Sequence, residues 1–293
     1  MEGNQETQIF ADDLKVTASY AVHVSPNVIV SDLENVQQRA HDWGRRHRVT
    51  FDPSKESFHI IHPLFDDESS FKLLGTLLDS ALSMKPLVDA LLVKIRPKVR
   101  AIVRMKHMFS LREFLDQFKM QAWSHLEYHN GALILAKSVD RERIDKMQRN
   151  FLHQLECSEC EAFVEHNFAP PSLRRAIAIL GFLHKRVLGI CHPALIKALP
   201  YDPDMSFRYH SKTLAANFDQ VRAYPALYRN SLWDYIHIYN RLPPGLVEVK
   251  TVKIFQSKLT QIAKTRASLN DPDWRKAFQS CGDVLRHCHG NAR

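Results

Sequence analysis

The chain has 293 residues, 45% of them hydrophobic and only 9 of them Gly, which suits a globular, helix-rich protein and leaves little room for a P-loop or a Gly-rich dinucleotide fingerprint. With 40 Lys+Arg against 32 Asp+Glu the formal net charge is +8, an excess that favours polyanionic partners without requiring them. Residues 1–8 are polar, no apolar run approaches the roughly 18 to 20 residues that span a bilayer, and the 5 Cys are odd in number, so the expectation is no membrane partner and a reducing compartment, nucleus or cytoplasm, rather than secretion.

Residues 7–79 read as mixed α/β. Thr7–Val16 is apolar on both sides of Asp12-Asp13, as in two short strands joined by a tight turn. Asn27–His47 is expected to be a helix, with Ile29, Leu33, Val36, Ala40 and Trp43 spaced to form one buried face. Arg48–Phe51 reads as a strand and Asp52–Lys55 as a turn. Phe58, Ile60 and His62 alternate as a further strand. Phe71–Leu78 is another apolar segment, interrupted at Gly75 and ending at Asp79.

After residue 80 the period lengthens to that of helices. Pro86–His107 is one long helical pattern that Pro97 is expected to kink or split. Ser110-Leu111-Arg112-Glu113 is a capping box that opens a helix to about Tyr128. Val139–Leu155 carries Ile144, Met147, Phe151 and Leu155 on one stripe. Pro170-Pro171-Ser172 starts Leu173–Leu188, with Ile177, Leu180, Gly181 and His184 on a common face. Residues 200–230 read as loop-rich, Ser231–Tyr239 as an aromatic, apolar segment stopped by Leu242-Pro243-Pro244-Gly245, and Val252–Ile262 as a last short helix before a weakly specified tail.

Two adjacent carboxylates are an unusual choice for a tight strand turn, where Asp-Gly or Asn-Gly is commoner. They repel unless a cation lies between them, and Mg²⁺ prefers such oxygen ligands. Nucleotidyl transfer uses two such metals to clamp the attacking and leaving oxygens. A solvated turn bearing two charges is the plain alternative for the dipeptide alone.

The flanking residues add an ordered series. Phe10-Ala11-Asp12-Asp13 resembles the aromatic-x-Asp-Asp signature of reverse transcriptases, and the segments C-terminal to it resemble the non-LTR (LINE-like) retrotransposon branch. Val49–Lys55 is similar to the palm strand and lysine-bearing turn, and Phe71-Lys72-Leu73-Leu74-Gly75 with Leu78-Asp79 to the primer-grip hairpin. His125-Leu126-Glu127-Tyr128, Gly131-Ala132 and Gln148–Leu152 look like the thumb and the region beyond it. Arg174–Gly181, Tyr239–Pro243 and Phe255-Gln256 resemble the C-terminal region.

The resemblance implies a predominantly helical α+β chain: a partial reverse transcriptase palm in residues 1–80, a helical thumb-like region in 81–165, and a helical C-terminal region in 166–293. It implies RNA-directed DNA polymerase ancestry, a nucleotidyltransferase acting on an RNA template and a DNA primer with Mg²⁺. Asp12 and Asp13 would be metal ligands, Lys55 would lie near the incoming triphosphate, and Phe71, Lys72, Leu74 and Gly75 would grip the primer end. The family's other palm aspartate lies well upstream of the Asp-Asp hairpin, and eleven residues precede Asp12 here. The expectation is therefore a weak or incomplete Mg²⁺ site and no polymerisation by this chain alone, with a non-catalytic nucleic-acid-binding remnant or a decayed copy as the alternatives.

Other constellations are smaller. Lys94, Arg96, Lys98, Arg100, Arg104, Lys106 and His107 crowd one stretch that on a thumb helix would track duplex phosphates, or would be a solvated face. Arg45-Arg46-His47-Arg48 reads as surface. Cys157, Cys160 and His166, and separately Cys281, Cys288 and His289, are thin zinc-ligand candidates, neither reaching the usual four.

Overall fold

A computed structural model of the chain describes residues 4–10, 13–21, 23–61, 70–105, 107–202, 212–215 and 231–288, with backbone alone at 4–6, 8–10, 13, 283 and 285–287. The fold is predominantly helical. The chain divides into two compact units, Met1–Ile60 and Ile61–Arg293.

In the first unit, β1 (Asn4–Phe10) pairs antiparallel with β2 (Asp13–Ser19), in register from Asn4↔Ser19 to Phe10↔Asp13. The expected strand pair is present, and Asp13 is the first residue of β2. α1 (Pro26–His47) begins with Pro26, whose missing N–H costs nothing at a helix start. Its apolar stripe is half-buried at Ile29, Leu33, Val36 and Ala40, whereas Trp43 is 46% exposed and stacks on His47 at 4.4 Å.

The strands expected at Arg48–Phe51 and Phe58–Ile60 are irregular chain on either side of a 3₁₀ turn, Pro53–Lys55; His62 lies outside the described residues. A strand needs a neighbour for its amides, and among the described residues none pairs with these segments. Local bonds replace the ladder. Val49 N–H donates to the Gly44 carbonyl at 2.9 Å, and the Glu56 carboxylate bonds His41 at 3.0 Å and Gln37.

The second unit opens with a hairpin of β3 (Ser70–Leu73) and β4 (Thr76–Asp79). The Asp79 carboxylate accepts from the amides of Ser83 and Met84, both at 3.0 Å, and so fixes the start of α2 (Lys85–Arg104) against the hairpin. Pro97 does not split α2. It removes one hydrogen bond, at a cost of about 3 kcal/mol or more. The same helix buries Leu87, Val88, Leu91, Leu92, Ile95, Val99 and Ile102, worth roughly 10 to 20 kcal/mol in gross transfer free energy. Pro97 and its i−4 neighbour Val93, whose carbonyl loses its helical partner, both lie on the exposed side.

The capping box forms as expected. Ser110 N–H donates to Glu113 at 2.7 Å, and the Ser110 hydroxyl accepts from the Glu113 amide at 3.5 Å. α3 (Leu111–Phe118) runs through a π-helical turn, Lys119–Trp123, into α4 (Ser124–Tyr128). α5 (Asn130–Leu133) and α6 (Ser138–Gln154) come next. One hydrophobic cluster joins α2, α3, α4 and α6, centred on Phe118, Phe151 and Phe168, each with no exposed surface. The buried Trp123 indole donates to Gln148 at 2.9 Å, and the Gln148 amide donates to the Ala169 carbonyl at 3.0 Å.

The rest is α7 (Glu159–His166), α8 (Pro171–Val187), α9 (Pro193–Ala198), α10 (Leu232–Asn240), α11 (Pro244–Val247), α12 (Val252–Ser268) and α13 (Cys281–Cys288). A second cluster packs α8, α10 and α12 together. At Gly181 an added Cβ would lie 2.3 Å from the Gln256 amide, so the Gln256 side chain rests directly on the bare Gly181 surface of α8. His184 sits between its neighbours. Tyr239 O–H lies 2.9 Å from Nδ1, the Val249 carbonyl accepts from Nε2 at 2.8 Å, and the Phe255 ring stacks at 4.1 Å.

Asn240 bonds both backbone groups of Leu214, at 2.9 and 2.8 Å. Most of 200–230 lies outside the described residues. The tail expected to be weakly specified instead buries Trp274, Phe278 and Val284. Among the described residues no helix is long and apolar enough to cross a membrane.

Candidate nucleic-acid interface

The expected site residues fall in both units. Asp12 lies outside the described residues, and Asp13 is described only as the backbone of β2. Lys55 ends the 3₁₀ turn with 82% of its side chain exposed, 3.7 Å from Asp52. Among the described residues no three His, Cys, Asp or Glu side chains converge as a metal group. Cys157 and Cys160 turn to different carbonyls, Ser158 at 3.5 Å and Ala267 at 3.4 Å. Burial pushes the Cys157 thiol up to about 11. Cys281 and Cys288 pack against the second core cluster, and His289 lies outside the described residues.

The second unit gathers the remaining candidates. In the β3–β4 hairpin Phe71 pairs with Leu78 and Lys72 with Leu77, while Leu77 and Leu78 pack on the core. Leu74 (φ 46°) and Gly75 (φ 77°) form the two-residue turn. Two positive φ values in such a turn match the twist of the strands, a geometry usually given to Asn-Gly. Leu in that position is strained, and an outside contact holds it. Tyr128 O–H donates to the Leu74 carbonyl at 2.7 Å. Beside it, Thr76 Oγ1 lies 3.1 Å from His129 Nδ1. The end of α4 is thus docked on the turn.

α2 brings the basic residues to the same unit. Arg96, Arg100 and Arg104 recur at i, i+4 and i+8 and are all exposed; Lys94 and Lys98 form a second row on the other side of exposed Val93, Pro97 and Ala101. The buried stripe of α2 dictates this layout, because each core position displaces its polar neighbours to one flank or the other. Nearby acids are engaged elsewhere. Asp89 pairs with Lys85 at 2.9 Å and Arg143 at 2.6 Å, and Glu127 accepts from Arg174 Nε at 2.7 Å. Among the described residues no ion pair involves Lys94, Arg96, Lys98, Arg100 or Arg104.

Lys98 Nζ instead meets His125 Nε2 at 2.8 Å. Burial first, then the charges of Lys98 and Lys94, hold His125 below the ordinary imidazole value; burial, then His125 and Lys94, do the same to His129. Tyr128 is 66% exposed next to these groups. α2 thus carries two rows of cations that form no ion pair among the described residues, and the lysine row adjoins an exposed aromatic ring and the turn of a hairpin.

Of the residues that meet here, His125 falls within the thumb-like segment, whereas His129 and Thr76 belong to no motif. The i, i+4 repeat of the two histidines was the available signal, but their meeting with Lys94, Lys98 and the hairpin turn depends on tertiary packing. Compared with known protein families, curated proteins and solved structures, the chain matches no family model, no curated protein and no solved structure.

Proposed function

We propose that residues 61–293 are a nucleic-acid-binding unit of reverse transcriptase descent, and that the ligand is a duplex of RNA template and DNA primer. The α2 face carries this reading: five cations in two rows, none of them ion-paired among the described residues. Uncompensated cations at this density repel one another, and a polyanion relieves that repulsion with release of its counterions.

The rows suit a wide, shallow groove. Exposed Val93, Pro97 and Ala101 lie between them, apolar enough to rest on sugars while each row reaches the phosphates of one strand. The hairpin turn at Leu74-Gly75, with Phe71 and Lys72 behind it, would lie at the primer end. In the first unit, Mg²⁺ at Asp12 and Asp13 and a triphosphate near Lys55 belong to the same proposal; the exposure of Lys55 leaves it able to reach such a ligand.

Ultraviolet crosslinking to a hybrid bearing 4-thiouridine, followed by peptide mapping, tests the assignment. Crosslinks are expected in residues 85–104 and 124–129. Binding confined to other peptides would remove α2 from the interface. Absence of any nucleic-acid binding would favour a decayed copy without function.

A further inference from the structure

Lys94 and Lys98 stand one turn apart on α2, and His125 and His129 stand at the same spacing on α4 and its cap. The two pairs meet. An ammonium group has no lone pair, so in the 2.8 Å contact Lys98 donates and His125 Nε2 accepts, which requires a neutral His125 with its proton on Nδ1. His129 Nδ1 engages Thr76 of β4. The groups facing this point are Lys94 and Lys98 from α2, His125 and His129 from α4 and its cap, and Thr76 from the hairpin. Tyr128 is bonded to Leu74 and Glu127 to Arg174, so among the described residues no carboxylate takes part.

The cluster can accept a proton only with difficulty while it is empty. Protonated His125 would lose the Lys98 bond and set a second cation against two lysines. An oxyanion changes both terms. It draws Lys94 and Lys98 to itself, and it accepts a hydrogen bond from the new Nε2–H of His125. Anion and proton therefore favour each other, as linked ligands must.

We propose that Lys94, Lys98, His125 and His129 form a proton-linked phosphate site, in which a backbone phosphate of the bound nucleic acid is held together with a proton taken up on His125. The choice of a nucleic-acid phosphate rests on the function proposed above; the linkage between anion and proton rests on the cluster itself. The site would make binding stronger under mildly acidic conditions, by a route separate from the arginine row at Arg96, Arg100 and Arg104.

Proton NMR of the histidine ring protons of the full chain tests this, with His125→Gln and His129→Gln identifying the two resonances. Gln keeps an acceptor for Lys98 but does not titrate. The probes are inorganic phosphate and, separately, a 20-base-pair RNA–DNA hybrid, both at constant ionic strength. With either probe saturating, the His125 midpoint should rise by about one pH unit, which for the hybrid corresponds to a gain of about fivefold in affinity between pH 7.5 and 5.5.

That gain should shrink to less than about twofold in His125→Gln. Hybrid binding with the same pH profile in wild type and in His125→Gln would overturn the phosphate site and leave the nucleic-acid reading intact. If the hybrid fails to bind but inorganic phosphate raises the His125 midpoint, the site stands and the nucleic-acid reading falls. No response to either probe overturns both.

Discussion

The α2 face makes a quantitative prediction about salt. A protein that neutralises Z duplex phosphates loses affinity with log salt at a slope of about −0.9 per contact. If all five cations of α2 touch phosphate, the slope is about −4.5, and affinity should fall about 500-fold between 50 and 200 mM salt. Replacing Arg96, Arg100 and Arg104 by Ala leaves Lys94 and Lys98, so the slope should drop to about −1.8 and the loss over the same range to about 12-fold. The three side chains are exposed and form no ion pair among the described residues, so their removal should leave stability within about 0.5 kcal/mol of wild type. Fluorescence anisotropy of a labelled RNA–DNA hybrid at several salt concentrations gives the slopes, and urea denaturation checks the fold. An unchanged slope in a stably folded triple variant would refute the reasoning, because the phosphates would then be neutralised elsewhere.

Other predictions concern the framework. Gln148→Leu leaves the Trp123 indole N–H and the Ala169 carbonyl without their buried partner; at about 1 to 3 kcal/mol for each orphaned group, urea denaturation should show a loss of about 2 to 6 kcal/mol. Tyr239→Phe removes the O–H that serves His184 Nδ1 and should cost about 1 to 3 kcal/mol by the same measurement. Burial holds the folded His184 below its ordinary value near 6.5. The unfolded chain then binds the extra proton, so this stabilisation is complete above pH 6.5 and is lost as pH falls through 6.5 toward the depressed folded value. Urea midpoints should decline from pH 7 to pH 5, and a flat or rising profile would contradict that sign. Gly75→Val places a β-branched residue at φ 77° and should lower thermal stability by about 1 to 3 kcal/mol while loosening the hairpin from Tyr128.

Much of the helical framework was legible in the residue pattern. The Ser110–Glu113 box, the stripe through Ile144, Met147 and Phe151, and the Gly181–His184 face all form as their spacing predicts, because capping and one-sided burial act locally. Pro97 does not split α2, because a proline removes one hydrogen bond whereas seven buried side chains hold the helix together on both sides of it. The segments at Arg48–Phe51 and Phe58–Ile60 misled because an alternating pattern does not supply a partner edge. Trp274, Phe278 and Val284 are spaced too irregularly to show a period, yet tertiary packing buries all three.

The interface was legible in part. The lysines and arginines of α2 stood out as a run, and the resemblance marked the turn at Leu74-Gly75. Their junction with His125, His129 and Tyr128 was not legible, since contacts 27 and 54 residues apart in sequence are set by packing. The Tyr239–Pro243 and Phe255-Gln256 segments were marked without a role. In the structure Tyr239, Phe255 and Gln256 enclose His184 and Gly181, a packing task for this part of the C-terminal region.

The central claim is that the α2 face binds nucleic acid, and charge reversal tests it most directly. A labelled 20-base-pair RNA–DNA hybrid is titrated at 50 mM salt with the wild-type chain and with an Arg96→Glu/Arg100→Glu/Arg104→Glu variant of matched helicity and urea midpoint. The account predicts saturable binding by the wild type and a loss of at least about 100-fold in the variant. Equal affinity of the two proteins, or no binding by the wild type at any concentration that stays soluble, would contradict it.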